Sequence, residues 1–395
     1  MPRKIETGLA GSKLFGTQAK TLPRCVGMLA AGAILAAGAL VAQVPVSWGL
    51  GHFVRPGDAN PAIAPSADSV FFCPMRKMEI HWEALHTFNP AAVVRNGKVY
   101  VLYRAEDSTG EMQIGMHTSR LGLAESDDGL HFTRGPSPVL YPADDDQKER
   151  EWEGGCEDPR ITESPDGTYV LTYTQWNRKI TDTAIATSKD LVAWTKHGPA
   201  FAHASGGKYL RMFHKSAGIV SRISGGRLIA AKINGKYWMY WGEVEVHLAT
   251  SSDLIDWRPL EDPKGDPIVV LGKRTGRFDS SLPEVGPPPV LTREGIVVLY
   301  NGKNAAEGGD PNLAAGTYAA GEALFRANDP AKLISRTAGP VFKPELPFEK
   351  SGQYAAGTTF AEGLVFFHDK WFLYYGAADS LVGVAVYDPK GSPSP

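Results

Sequence analysis

One pattern occurs five times after residue 70 and constrains the fold more than any other feature of the chain. A turn signal is followed each time by a short strand of β-branched or aromatic residues that ends in tyrosine: VYVLY (99–103), YVLTY (169–173), YWMY (237–240), IVVLY (296–300) and WFLYY (371–375). Asn-Gly, Asp-Gly or Glu-Gly precedes the first four strands. Glycine supplies the positive φ that a tight hairpin needs, so each copy predicts a β-hairpin.

A second marker runs in phase with the first. Three Ser-x-Asp turns are each followed by an aromatic residue four positions after the aspartate, in the pairs Asp128/Phe132, Asp190/Trp194 and Asp253/Trp257. Units repeated at one period bury their faces only against one another, and no long amphipathic helical stretch interrupts them. We therefore predict an all-β chain folded as a five-bladed β-propeller over residues 70–390. Two β-sandwiches with coincidental turns are the alternative.

The residues just before each hairpin are polar, which predicts where a site lies. In a propeller these positions begin the innermost strands and meet at the central mouth. One polar cluster precedes each hairpin: Asn89-Pro90, Glu157 to Arg160, His214 to Ser216, Glu284 to Pro287, and Tyr354 to Gly357. A shared axial site explains this repetition better than packing does.

The first 69 residues depart from globular composition. A basic start is followed by an uncharged, Ala/Gly/Leu-rich run over 26–42, which is typical of a secretory signal and also fits an uncleaved membrane anchor. We expect residues 1–45 to be one of these, unless the start site is wrongly assigned. Residues 46–69, rich in proline and alanine, are predicted to be a linker. A leader of this kind predicts that the protein is exported to the periplasm or outside the cell. Membrane contact is expected only if the leader is not cleaved.

Composition excludes several classes of function. The balance of 41 Lys+Arg against 43 Asp+Glu gives a net charge of −2, which offers no attraction to nucleic acid.

No P-loop, dinucleotide fingerprint, nucleophile elbow or zinc pattern is present in the sequence, so we expect no cofactor. His81 and His86 lie five residues apart without a third ligand nearby, and we expect no metal site. Cys73 and Cys156 are candidates for a disulfide in an oxidising compartment, or are simple packing thiols.

Acidic residues that converge with aromatic ones indicate carbohydrate chemistry. Glycosidic cleavage needs one protonated carboxyl as general acid and a second carboxylate as base or nucleophile. Aromatic rings offer flat apolar faces to sugars. Four tryptophans are candidates either for this role or for packing between the units, namely Trp82, Trp176, Trp238 and Trp241.

Several strings resemble glycoside hydrolase family 130: FNPAAVVRNGKVYVLYRAED (88–107), CEDPRI (156–161), GPPPVL (286–291) and LYYGAADS (373–380). That family contains five-bladed propellers that are β-mannoside phosphorylases or β-mannosidases. The resemblance implies that Asp158 is the general acid and that its neighbour Glu157 belongs to the same site. It also implies that the mannosyl unit is held by Asn89, Arg104, Arg160 and Asp379. The like charge of Glu157 and a closed site are expected to raise the pKa of Asp158.

Three departures from the family's phosphorylases bear on the attacking group. Glu284 stands where they carry Gly-x-Gly, Asn301 stands where they carry histidine, and Glu243 lies where an arginine-bearing string is expected. Lys215 still matches a family lysine. Added carboxylates repel phosphate and activate water, so the sequence favours an inverting β-mannosidase, with β-1,2-linked oligosaccharides as the expected substrate.

Glu284 is the favoured base and Glu243 the second candidate. In simpler interpretations, Glu284 is an acidic loop residue and Glu243 is a surface acid paired with a lysine. The main rival function is a phosphorylase that uses inorganic phosphate and releases mannose 1-phosphate. A non-catalytic glycan-binding propeller and a five-bladed furanosidase are weaker rivals. No pattern in the sequence predicts the oligomeric state.

Overall fold

The structure is a computed structural model that describes residues 46–391, and the predicted leader at 1–45 lies outside them. The described chain is all-β, as predicted. Its helical elements are short: one α-helix, α1 (Lys148–Glu151), and 3₁₀ turns at Ala204–Arg211 and Pro347–Glu349. Within these residues no helix has the length and apolar character needed to cross a membrane.

The strands fall into five consecutive antiparallel groups, preceded by a small hairpin of β1 (Phe71–Cys73) and β2 (Met78–Ile80). Group one contains β3 (His86–Arg95), β4 (Lys98–Glu106), β5 (Ser119–Ser126) and β6 (Thr133–Arg134). Group two contains β7 (Gly155–Glu163), β8 (Tyr169–Trp176), β9 (Thr181–Ser188) and β10 (Thr195–Pro199).

Group three is the most divided. In chain order it contains β11 (Ala217–Ile219), β12 (Ser221–Ser224), β13 (Arg227–Ala230), β14 (Lys232–Ile233), β15 (Lys236–Trp241), β16 (Val246–Ser251), β17 (Arg258–Pro259) and β18 (Val269–Leu271). The β12–β13 hairpin pairs with strands of groups two and four instead of with the other strands of group three. Group four contains β19 (Leu282–Val285), β20 (Val290–Leu291), β21 (Ile296–Lys303), β22 (Tyr318–Arg326) and β23 (Asp329–Arg336). Group five contains β24 (Thr359–Phe367), β25 (Lys370–Ala377) and β26 (Leu381–Tyr387).

All five repeated strings form strands at equivalent places. They lie in β4, β8, β15, β21 and β25, and each pairs with the first strand of its group: β3, β7, β11, β19 and β24. The hairpins predicted at the turn signals are confirmed: they are β3–β4, β7–β8, β14–β15, β20–β21 and β24–β25. The Ser-x-Asp turns are also formed: the Asp190 carboxylate, for example, accepts the backbone N–H groups of Val192 and Ala193 at 2.9 and 2.8 Å.

The tyrosine that ends each repeated string is buried with its hydroxyl paired. In four groups the hydroxyl donates to a buried acid: Tyr103 to Glu83, Tyr173 to Glu151, Tyr300 to Asp279 and Tyr375 to Glu349, at 2.6 to 2.8 Å. In group three Tyr240 donates to the Pro330 carbonyl at 2.7 Å. A buried hydroxyl without a partner is costly, so each group needs both the ring and its acceptor.

The groups contact their neighbours along the chain, and the first also contacts the last. Strand β3 packs against both β7 and β24, while β7 packs against β11, β15 against β19, and β22 against β24. Short parallel pairings add to this, such as Ser119 with Gly155 and Ser221 with Val290. First strands from different groups therefore lie close together.

The segment 46–69, predicted as a linker, packs onto group five. Val54 and Ile63 form antiparallel bridges to Val386 and Val382 of β26. Leu50, Phe53 and Ile63 are buried. The proline and alanine content of this segment predicted a linker, but the segment also contains a few apolar side chains that cover the outer strand β26. Elsewhere, Cys73 and Cys156 are separate free thiols, both buried, rather than a disulfide.

Candidate active site

One cavity of about 170 Å³ collects side chains from all five groups. The first strands, or the residues leading into them, contribute Asn89, Asp158, Lys215, Glu284 and Tyr354, one from each group in chain order. Every polar cluster that the sequence singled out is therefore represented. The remaining acids that line the cavity are Glu106, Glu157, Glu243 and Asp379.

β-Bulges direct three central side chains. The ladder between β3 and β4 skips Asn89, the ladder between β7 and β8 is shifted after Glu157, and the ladder between β24 and β25 skips Glu362. Asn89 and Asp158 have positive φ values of 46° and 47°. Asparagine and aspartate tolerate this region better than most other side chains, which explains their presence at the two bulges.

Asp158 is held by two donors. Asn89 Nδ2 donates to its Oδ1 at 2.9 Å, and Arg104 Nη1 donates to the same oxygen at 3.0 Å. The guanidinium of Arg104 also reaches Glu106 Oε1 at 2.7 Å and Glu157 Oε1 at 2.8 Å. One buried arginine therefore holds three carboxyl groups together.

The expected rise in the pKa of Asp158 is wrong for the free site. Burial favours a higher value, but Arg104, Lys215 and Arg160 outweigh it and lower the pKa of Asp158 below its usual range. Burial instead raises the pKa of Glu157, against the opposing charge of Arg104. The sequence showed the adjacent acid but not the cations that surround Asp158.

Glu284 lies in a second cluster around Lys215. Lys215 Nζ is 3.5 Å from Glu284 Oε1 and 3.6 Å from Glu243 Oε1, and Ser216 Oγ donates to Glu284. Glu284 is buried, whereas the side chain of Glu243 is 35% exposed. Burial raises the pKa of Glu284 to about 7; Lys215 opposes this and Glu243 adds to it.

Arg160 lies behind the cavity rather than in its lining. Its guanidinium donates to the carbonyls of Asp158 at 3.0 Å, Val285 at 2.7 Å and Gly286 at 3.2 Å. It also lies 2.9 Å from buried Glu362. Arg160, which the resemblance placed on the mannosyl unit, thus joins the strand of Asp158 to the strand of Glu284.

Asp379 lines the cavity from the turn after β25, and burial raises its pKa to about 7. The aromatic lining consists of Phe88, Tyr318, Tyr354 and Phe360. None of the four tryptophans proposed for sugar contact is among the described lining residues, and Trp82 and Trp241 are buried. Sequence reasoning missed Glu362, whose role depends on a contact between groups. It named Ser216 within a polar cluster but did not foresee its contact with Glu284.

Chemically, the cavity offers carboxyl groups with different proton affinities, a lysine and flat aromatic faces. The sequence profile of glycoside hydrolase family 130, described as beta-1,4-mannooligosaccharide phosphorylase, matches residues 70–390. The chain belongs to this family. A 1,2-beta-oligomannan phosphorylase from Thermoanaerobacter sp. (strain X514) is 33% identical over 320 residues, which cover 80% of this chain and 94% of the relative.

Several solved structures have higher sequence identity to this chain. A putative glycosidase from Bacteroides thetaiotaomicron VPI-5482 is 57% identical with a TM-score of 0.85, covering 87% of this chain and 98% of its own. Another structure is 53% identical with a TM-score of 0.87, covering 89% and 97%. It is described in the context of family 130 mannoside phosphorylases containing glycoside hydrolases that target β-1,2 mannosidic linkages in Candida mannan.

The buried contact between Arg160 and Glu362 generates a stability prediction. Glu362→Leu removes the side chain facing Arg160 and should lower the free energy of unfolding by about 3–5 kcal/mol, measured by urea denaturation. Glu362→Gln keeps a polar acceptor and should cost less than half as much. Lys390→Ala, which breaks an exposed ion pair with Asp369, is the control and should cost less than about 1 kcal/mol. A Glu362→Leu protein as stable as the parent would contradict this role.

Proposed function

We propose that the protein is an inverting β-mannoside hydrolase acting on β-1,2-linked manno-oligosaccharides, with Asp158 as general acid and Glu284 as the base that activates water. The observation that carries the proposal is the charge of the cavity. Among its described lining residues, six carboxyl groups (Glu106, Glu157, Asp158, Glu243, Glu284, Asp379) face two cations, Arg104 and Lys215.

This charge balance favours water over phosphate as the attacking group. A phosphate dianion needs several unpaired cations, as in sites built from arginine clusters. Arg104 already contacts three carboxyl groups, and Lys215 lies between Glu243 and Glu284. Phosphate entering beside Lys215 would meet both glutamates, whereas a neutral water would not be repelled.

Glu284 suits the role of base because its raised pKa of about 7 lies near neutral pH. Deprotonated Glu284 takes a proton from water as the oxygen attacks the anomeric carbon, and a single displacement inverts that centre. The negative charge of Glu243 supports this role because it raises the pKa of Glu284. Ser216, which donates to Glu284 Oε1, orients the carboxylate.

Asp158 must carry a proton when the leaving sugar departs. Its low pKa belongs to the cavity without a sugar, and a mannosyl unit that expels the remaining water makes the charged carboxylate less stable and raises its pKa. Glu157 and Asp379, whose pKa values are raised, lie in the same cavity as proton sources. Asn89 and Arg104 fix the Asp158 carboxyl through one oxygen and leave Oδ2 for the proton.

The remaining parts of the proposal concern architecture and location. We propose that the five strand groups stand as the blades of a propeller around the cavity; the contact of β3 with both β7 and β24 supports this. We also propose that residues 1–45 direct export as a cleaved signal or an anchor. The reaction needs no cofactor, because all its steps are proton transfers and one displacement.

A phosphorylase of the same family is the second candidate. The 33% identical relative is named as a phosphorylase, and Lys215 matches a lysine of the family. In that case inorganic phosphate would attack in place of water and the product would be mannose 1-phosphate. Glu243 and Glu284 would then have to be protonated or displaced around the anion.

Anomer-resolved NMR of the digestion of β-1,2-mannobiose separates these candidates. In phosphate-free buffer we expect free α-mannose as the first product, at a rate that changes less than twofold when phosphate is added at 10 mM or so. Reaction in H₂¹⁸O should place the label on the anomeric hydroxyl. Turnover that requires phosphate and yields mannose 1-phosphate would contradict the proposal, and β-mannose as first product would contradict inversion.

The pH profile and two variants test the assigned roles. The value of kcat/KM should fall as pH drops below about 7, because Glu284 gains a proton and can no longer act as base.

The Glu284→Gln variant should lose activity by roughly 10²–10⁴-fold at every pH. Asp158→Asn should lose as much on mannobiose but far less on an aryl β-mannoside whose leaving group needs no proton.

Glu243→Gln is the matched comparison for Glu284→Gln. Removing the neighbouring negative charge lowers the pKa of Glu284, so the acid limb should move to lower pH while turnover is largely kept. If Glu243→Gln abolishes turnover and Glu284→Gln does not, the base has been assigned to the wrong glutamate.

A further inference from the structure

A second cluster lies at one end of the first strand group, beside the cavity. His86 begins β3 and pairs across the ladder with Glu106, the last residue of β4. His117 lies two residues before the start of β5, and Ser119 of β5 pairs with Glu106. Three chain segments thus bring two imidazoles and one carboxylate together, with their ligand atoms all within 4.8 Å of one another.

Two atoms of this cluster are buried and face each other. Glu106 Oε2 and His117 Nδ1 lie 2.9 Å apart, in residues 1% and 4% exposed, and neither atom has another hydrogen-bond partner among the described residues. Because Arg104 already occupies Glu106 Oε1 at 2.7 Å, Oε2 is the oxygen that is free to bind something else.

We propose that His86, Glu106 and His117 bind one divalent transition-metal ion of the zinc type. The 2.9 Å spacing matches the edge of an octahedral shell whose metal–ligand bonds are about 2.0–2.2 Å long, and a tetrahedral shell would require the two atoms to move apart by roughly half an ångström. Two imidazoles and one carboxylate suit zinc and its neighbours. Calcium and magnesium prefer sites built from oxygen, and calcium takes six to eight such ligands. Water would complete the shell on the partly exposed side of His86.

The local charge supports a dication at this place. Glu106 faces the cavity in which carboxyl groups outnumber cations, so two added positive charges reduce the mutual repulsion there. Arg104 alone would connect the metal ligand Glu106 to the proposed general acid, because Arg104 contacts both Glu106 and Asp158. The metal is therefore assigned a positioning role, holding Glu106 and through it Arg104.

The sequence concealed this site. The five-residue spacing of His81 and His86 suggested a pair, but His81 Nδ1 lies 2.6 Å from the Ala67 carbonyl and is not part of the cluster. The true partners of His86 come from β4 and from the segment before β5. Only the strand register places them side by side.

Metal binding by the full chain tests the proposal without relying on activity. After dialysis against a chelator and then against metal-free buffer, the protein should take up one Zn²⁺ per chain by isothermal titration and elemental analysis. Co²⁺ should give the visible absorption bands of a bound ion. His117→Ala and His86→Ala should each weaken zinc binding at least tenfold.

His131→Ala is the matched control, because His131 also pairs with a carboxylate, Asp128 at 2.7 Å, but has no third ligand in the cluster. It should bind zinc as the parent does. Circular dichroism would show whether each variant folds. If His117→Ala does not fold, His86→Ala still tests the proposal, because His86 is partly exposed. A parent chain that takes up no stoichiometric zinc, or folded His86 and His117 variants with undiminished affinity, would overturn the proposal.

Discussion

The site depends on the confinement of many carboxyl groups around two cations. Six acids share one cavity, and like charges at such distances in a poorly solvated site cannot all ionise together. Arg104 contacts three of them and Lys215 two others. The result is a spread of proton affinities, low at Asp158 and raised at Glu157, Glu284 and Asp379. Acid–base chemistry at neutral pH needs such a spread.

The backbone that supports this cavity is built to hold separate strands in fixed relation. Arg160 reaches from the bulge of Asp158 to the carbonyls that follow Glu284, so the proposed acid and base share one buried partner. Glu362, at the bulge of a third strand, lies against the same guanidinium. A displacement of any one strand therefore alters the others, which suits a reaction in which the acid and the base act on one bond.

Much of this arrangement could be predicted from the sequence because it is encoded locally. Turn glycines and alternating strands identify the five hairpins, and the polar residues before them identify the cavity. What depends on contacts between distant strands could not be predicted: the burial of Arg160 behind the cavity, the direction of the Asp158 pKa shift, and the meeting of His86 with His117. The packing of segment 46–69 was missed because a few buried apolar side chains, such as Leu50, Phe53 and Ile63, leave little trace in a proline-rich composition.

The proposed reaction requires Asp158 and Glu284 to act from opposite sides of one glycosidic bond. A crystal structure of the Asp158→Asn protein with intact β-1,2-mannobiose would show whether they do. We expect the residue 158 side chain to lie within hydrogen-bond distance of the sugar leaving group, directly or through one hydroxyl. We also expect a water between Glu284 and the anomeric carbon, with the two side chains about 6.5–9.5 Å apart. A disaccharide bound with Glu284 on the same face as residue 158, or outside its reach, would rule out this pair as acid and base.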